Sequence, residues 1–145
     1  MNDSMFQDRQ VVESNRILYT ASSFARANLI HLQEIGESRS IRAHTGKRDG
    51  LNSFLFFLVL EGAGRVGCGI KGKGEGETIY YLKPGDCAFI DCRKPYFQSP
   101  DSDALWRLKW AHFYGSNMSG IYDKYVQRGG LPCFSSQYPE RYERL

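Results

Sequence analysis

Seven consecutive apolar residues, Phe54 to Leu60 (FLFFLVL), constrain what this chain can fold into more than any other feature. Asp49-Gly50 precedes the run and Glu61-Gly62-Ala63-Gly64 follows it, so turn formers bracket it at both ends. A bracketed run of this length predicts a core strand, because a helix hydrophobic on all sides would continue further. It is also far short of the roughly 20 apolar residues that a membrane-spanning helix needs. The opening residues MNDSMFQDRQ lack the basic head and apolar stretch of a secretory signal, and the expectation is a cytoplasmic protein.

Short strand-like segments surround this one. Gly64 to Gly76 reads as a glycine-studded hairpin region and Thr78 to Leu82 (TIYYL) as a β-prone run. Lys83-Pro84-Gly85-Asp86 is a turn that starts the strand Cys87 to Asp91. Pro95 and Pro100 keep Cys92 to Asp103 from being regular throughout. LWRLKWAHFYG, from Leu105 to Gly115, then resumes a strand pattern, with Leu108, Trp110 and His112 on one face and Trp106 joining them. Phe24 to Ile35 fits both helical and strand spacing, and its second half is read as strand.

Beyond Ser116 the pattern changes. Ile121, Tyr125 and Val126 follow helical spacing, Gly129-Gly130 supplies a stop, and Tyr138 to Leu145 (YPERYERL) reads as the opening of another helix that runs off the end of the chain. Residues 1–16 are polar and unpatterned, an arm either disordered or laid across the domain. With 145 residues, 15 of them glycine and 14% aromatic, the chain suits one small strand-rich barrel or sandwich with a helical tail. The expected divisions are an arm (1–16), a barrel (17–115) and a helical segment (116–145).

Motifs that would announce chemistry fail on context. Gly62 to Gly67 satisfies GxGxxG, but a dinucleotide site needs a helix opening at the third glycine, and CGIKGKGEGE is a poor helix former. Gly67 to Lys73 fits the start of a P-loop, yet Gly74 stands where a Ser or Thr hydroxyl is required. The histidines His31, His44 and His112 are scattered, and Cys87 and Cys92 have no second close cysteine pair, so no metal site is expected. No local catalytic signature appears, and neither a catalytic residue nor a cofactor is assigned. Cys68, Cys87, Cys92 and Cys133 are expected as buried free thiols. A net charge of +3 with interrupted basic residues gives no nucleic-acid stripe.

The densest chemistry is Arg93-Lys94-Pro95-Tyr96-Phe97-Gln98 together with Trp106, Arg107, Trp110, His112 and Phe113. Aromatic walls with a few polar groups fit a small-molecule pocket, and they fit a filled barrel core equally.

Three segments together resemble a known family: Leu60-Glu61-Gly62-Ala63-Gly64, then Tyr81 to Ile90 (YLKPGDCAFI), then Trp106 to Gly115 (WRLKWAHFYG). In this order they are similar to the N-terminal effector domain of AraC-type transcription regulators, over roughly His44 to Gly130. The resemblance implies a mainly β, cupin-like jelly-roll barrel followed by C-terminal helices. It implies a small polar effector, such as a sugar, bound in the barrel, homodimerisation through the helical segment, and DNA contacted only by a C-terminal domain outside this chain. Carried over by position, Arg48 matches the arginine before the central strand, Tyr96 and Phe97 the histidine and aromatic positions after the proline turn, and Trp110 the stacking tryptophan. Gln98 and His112 complete the expected ligand contacts, whereas Leu108 stands at a position that is polar in the sugar-sensing pattern. Metal-using cupins are similar from Gly85 to Tyr96, but Asp91, Arg93 and Tyr96 occupy motif places and His44 alone does not make their histidine cluster. The expectation is thus a non-enzymatic sensor, with a small cupin enzyme or a ligandless structural module as the alternatives.

Overall fold

Residues 12–69, 78–138 and 140–144 are described by this computed structural model. They form β1 (Val12–Leu18), α1 (Ser23–Asn28), β2 (His31–Ser40), β3 (Gly46–Arg48), β4 (Phe54–Glu61), β5 (Gly64–Cys68), β6 (Thr78–Leu82), β7 (Asp86–Asp91), β8 (Tyr96–Pro100), β9 (Arg107–Tyr114), α2 (Met118–Gln127), β10 (Cys133–Ser135) and α3 (Glu140–Glu143). All strand pairs are antiparallel, in a six-stranded sheet ordered β1-β2-β9-β4-β7-β10 and a four-stranded sheet ordered β3-β8-β5-β6. The expected mainly β sandwich or barrel is the observed fold.

The apolar run is unbroken because β4 is buried on both faces. Alternate side chains of a strand point to opposite sides. Leu55, Phe57 and Val59 point between the sheets, against Val66, Leu82, Ala88, Ile90, Trp106, Leu108 and Trp110. Phe54 points the other way, into a second cluster with Met118 and Tyr122 of α2, flanked by Phe89, Phe113, Tyr114 and Tyr125. Phe54 and Phe57 are both fully buried, and burial of this kind stabilises by about 1.5–3 kcal/mol per large apolar side chain. An antiparallel strand with one wet face would have alternated instead.

The helical tail begins where expected, but its buried face is Met118 and Tyr122, while Ile121 and Val126 are about half exposed. The Tyr122 hydroxyl donates to the Phe89 carbonyl at 2.9 Å, and the two rings meet edge to face at 4.9 Å. Helix α2 therefore packs on its own barrel. It ends at Gly129, whose φ of +89° is open to glycine. The Gly129 and Gly130 amides close back on the Val126 and Tyr125 carbonyls, at 3.0 and 2.9 Å.

Two strands lie partly or wholly outside residues 17–115. β1 spans the boundary at Arg16 and pairs along β2 from Val12 to Leu18. Within 116–145, β10 adds a short edge to β7. Neither edge is visible as periodicity, because pairing of this kind is made by backbone groups. The ambiguous stretch Phe24 to Ile35 divides into nearly all of α1 and the start of β2, so its second half is strand as read. Most of the expected hairpin from Gly64 to Gly76, like the P-loop-like residues after Gly69, lies outside the described residues. Gly62 to Gly67 leads into β5 and not into a helix. All four cysteines are unbonded; Cys87, Cys92 and Cys133 are buried and Cys68 is partly exposed. No helix among the described residues is long and apolar enough to cross a membrane.

Candidate functional site

Four of the six expected ligand residues meet between the sheets. Trp110 and His112 project inward from β9, and Tyr96 and Gln98 from β8. With Ser38 and Leu108 they surround a void of only about 20 Å³. That is room for about one water, whereas small-molecule pockets occupy roughly 300–1,000 Å³. The polar atoms are largely spoken for. The Trp110 indole N–H donates to Ser38 Oγ at 3.1 Å, and His112 Nδ1 is hydrogen-bonded to Ser53 Oγ at 2.8 Å. Gln98 Oε1 is buried without a hydrogen-bond partner.

Burial dominates the protonation chemistry here. It lowers His112 from the ordinary 6.5 to about 3, and the nearby Arg48 charge acts in the same direction. Arg48 lies opposite Tyr96 in the β3–β8 register, which puts it on the core side of the sheet edge. Burial also pushes the Cys92 thiol up to about 12 and raises the Tyr96 hydroxyl, and the Cys92 thiol donates to Tyr96 Oη at 3.7 Å. These groups stay neutral across the physiological range. Phe97 is the residue set apart from the rest. Strand alternation turns it to the outer face of the four-stranded sheet, where its ring crosses Gly67.

A larger space than the interior void lies at the edge of the barrel, where α2 and the segment leading to β10 approach β5, β6 and β7. A cavity of about 330 Å³ is walled by Tyr80, Tyr96, Tyr122, Val126 and Leu131, with Lys94 at its rim. Tyr96 is thus shared between the interior void and this cavity. Ile90 and Asp91 contribute from β7. Burial alone would raise the Asp91 carboxyl, but hydrogen bonds from the Arg93 side chain and amide outweigh it and hold the group below the usual carboxylate range. Arg93 Nη2 lies 2.8 Å from Asp91 Oδ2, and its guanidinium sits over the Phe54 ring at 5.1 Å. The pair braces the cavity floor against the cluster beneath α2.

Tyr80, Tyr122 and Leu131 were not among the expected contacts. Tyr80 alternates with Leu82 along TIYYL, and Tyr122 sits one helical turn from Met118, so both had an inward-pointing signal. Nothing local signals that the loop carrying Leu131 folds back beside them. Among the described residues, no three His, Cys, Asp or Glu side chains converge as a metal site would require.

No protein-family model matches the chain, and no curated protein matches it in sequence. Solved structures do match in fold. A vicilin from Solanum lycopersicum (tomato) aligns at 14% identity over 78% of this chain and 30% of its own, with a TM-score of 0.55. Ectoine synthase from P. lautus aligns at 13% identity over 90% of this chain and 79% of its own, with a TM-score of 0.51. Drosophila melanogaster CENP-C bound to CAL1 aligns at 18% identity over 74% of this chain and 77% of its own, with a TM-score of 0.50. The chain spans 30% of the vicilin and 55% of a separate CENP-C cupin-domain chain. At these identities the likeness is one of fold: the two sheets form a cupin-type jelly roll.

Proposed function

We propose that this chain is a ligand-binding cupin module whose ligand occupies the tyrosine-walled cavity beside α2. The observation that carries this reading is the contrast in volume, about 330 Å³ at the barrel edge against about 20 Å³ inside it. Tyrosine faces with Lys94 and Thr78 at the rim suit a small ring compound with an apolar face and a polar edge, a class that includes sugars. Tyr122 and Val126 belong to α2, so a ligand there bears directly on how the helix packs. That supports the finer reading of an effector domain, in which ligand binding favours one placement of α2 over another. Homodimerisation and a DNA-binding half outside this chain belong to the same reading. The half-exposed Ile121, on the side of α2 away from the cavity, offers a contact for a second copy.

A thermal-shift screen of monosaccharides and phenolic acids tests the site. At least one compound should raise the melting temperature. Ile90→Phe and Val126→Trp, which build into the cavity from two sides, should abolish the shift, while Trp110→Phe should leave it. A ligand lost with Trp110→Phe and kept by both cavity variants would return the site to the barrel interior. Silence across the screen would favour the ligandless structural module.

A second reading, a small cupin enzyme, is favoured by the fold shared with ectoine synthase over 90% of the chain. Metal analysis of protein purified without chelator discriminates the two. Stoichiometric iron, manganese or zinc would put the enzyme first.

A further inference from the structure

The outer face of the four-stranded sheet carries a concavity that the reading above does not use. Strand register aligns Lys47 with Phe97, Phe97 with Gly67, and Gly67 with Ile79, one rung across β3, β8, β5 and β6. The next rung sets Arg65 between Ser99 and Tyr81. The alternate residues Val66 and Tyr96 are buried between the sheets, so Lys47, Arg65, Ile79, Tyr81 and Phe97 face away from the core. Gly67 makes this possible: a Cβ there would fall 2.0 Å from the Phe97 ring, which instead crosses bare β5 backbone.

The result is an open groove of about 640 Å³, lined by Phe97, Lys47 and Arg65 from the outer face and reaching over the β3 edge to Arg48 on the core side, with Asp49 the single acid among its described lining residues. Tyr81 beside it is 76% exposed and Ile79 is 41% exposed. An aromatic face takes a flat ring, and paired cations take a phosphate. The basic residues look scattered along the chain, and only the sheet brings Lys47 and Arg65 to either side of one aromatic ring.

We propose that this groove binds nucleotide units, the base against Phe97 and the phosphate between Lys47 and Arg65. Its excess of cations fits an anionic ring compound and disfavours a cationic one. A free nucleotide and a single-stranded nucleic acid present the same chemistry, so both are assayed.

Fluorescence anisotropy of a labelled oligothymidylate of roughly ten nucleotides, within the usual site size of small single-strand binders, is read on the whole chain. AMP and a polyglutamate peptide serve as competitors. Binding should be saturable and should weaken roughly tenfold between about 50 and 200 mM salt, as two to three phosphate contacts imply. Phe97→Leu keeps an apolar cover over Gly67 but removes the π face, and should weaken binding at least about fivefold, the low end of a lost base stack. The surface pair Lys47→Gln/Arg65→Gln should weaken it similarly and flatten the salt dependence, with the melting temperature confirming that both variants fold. AMP competing as well per nucleotide as the oligomer assigns the site to free nucleotides; much tighter binding of the oligomer assigns it to single strands. The proposal is overturned by no binding at about 100 µM protein, the weak end of non-specific association. It is equally overturned by affinity unmoved in the Lys47/Arg65 variant, or by polyglutamate competing as well as the oligomer.

Discussion

Ser53 Oγ sits 2.8 Å from His112 Nδ1, sealed inside the barrel where the imidazole has no access to bulk water. Because burial lowers His112 from 6.5 to about 3, the unfolded chain takes up this proton well before the folded one. Stability should be full above pH 6.5 and fall by about 1.4 kcal/mol per unit as pH drops toward 3. Asp86 and Asp91, whose hydrogen bonds outweigh burial and hold them below 3.8, lose their contribution only at pH near or below that value. Glu61, held below 4.5 mainly by its hydrogen bond and charge contact with Arg107, starts to lose its own contribution as pH nears that value, so the interval from about pH 6 to 5 reports most cleanly on the histidine. Urea melts should show that slope in the native protein and lose most of it in His112→Asn; an unchanged slope would mean that His112 is not buried neutral.

Ser38→Ala should be more damaging than the loss of a surface hydroxyl. It strips the acceptor from the Trp110 indole N–H at 3.1 Å, and a buried donor left unpaired costs about 1–3 kcal/mol. Denaturant midpoints of Ser38→Ala and of the exposed control Ser102→Ala, measured together, test this, with the control expected within about 0.5 kcal/mol of native.

Helix α2 should separate into a structural face and a tolerant one. Met118→Ala removes a fully buried side chain against Phe54 and should cost about 2–5 kcal/mol. Ile121→Ala, three residues along on the half-exposed side, should stay within about 1 kcal/mol. Equal losses would mean that Ile121 is covered in solution, as a second copy of the chain would cover it.

Arg16 Nε lies 3.1 Å from Oε1 of Glu34, whose side chain is fully buried. Arg16→Met should destabilise by roughly 3 kcal/mol, because removing one partner leaves a charge in a poorly solvated place. Adding Glu34→Gln should recover part of that loss. A double variant no better than the single one would assign the cost to packing by the arginine stem.

What could be read in advance was whatever rests on side-chain patterning. The run at Phe54, the inward trio Leu108, Trp110 and His112, and the glycine stop after α2 each follow from a local rule, and each is where it was expected. What escaped depends on partners distant in sequence. β10 exists because β7 offers an unpaired edge, and the choice of Met118 over Ile121 for the buried side of α2 depends on where Phe54 and Phe89 stand. The candidate site divides the same way. Aromatic density around Tyr96 and Trp110 was visible, but whether it enclosed a pocket or filled a core turns on volumes that only the assembled sheets define. Phe97 follows Tyr96 in the chain and lands on the opposite side of the sheet, a difference that strand alternation decides once the strand's position is known.

The two-sided burial of β4 also bears on how the protein is made. Phe54 pairs with Phe113 on β9, roughly sixty residues downstream, and α2, which covers its other face, comes later still. At a synthesis rate of about 5–20 residues per second, FLFFLVL waits several seconds on the ribosome with both faces bare. The most apolar strand of the fold is thus among the last to be fully covered, and the nascent chain is most exposed to aggregation during that interval.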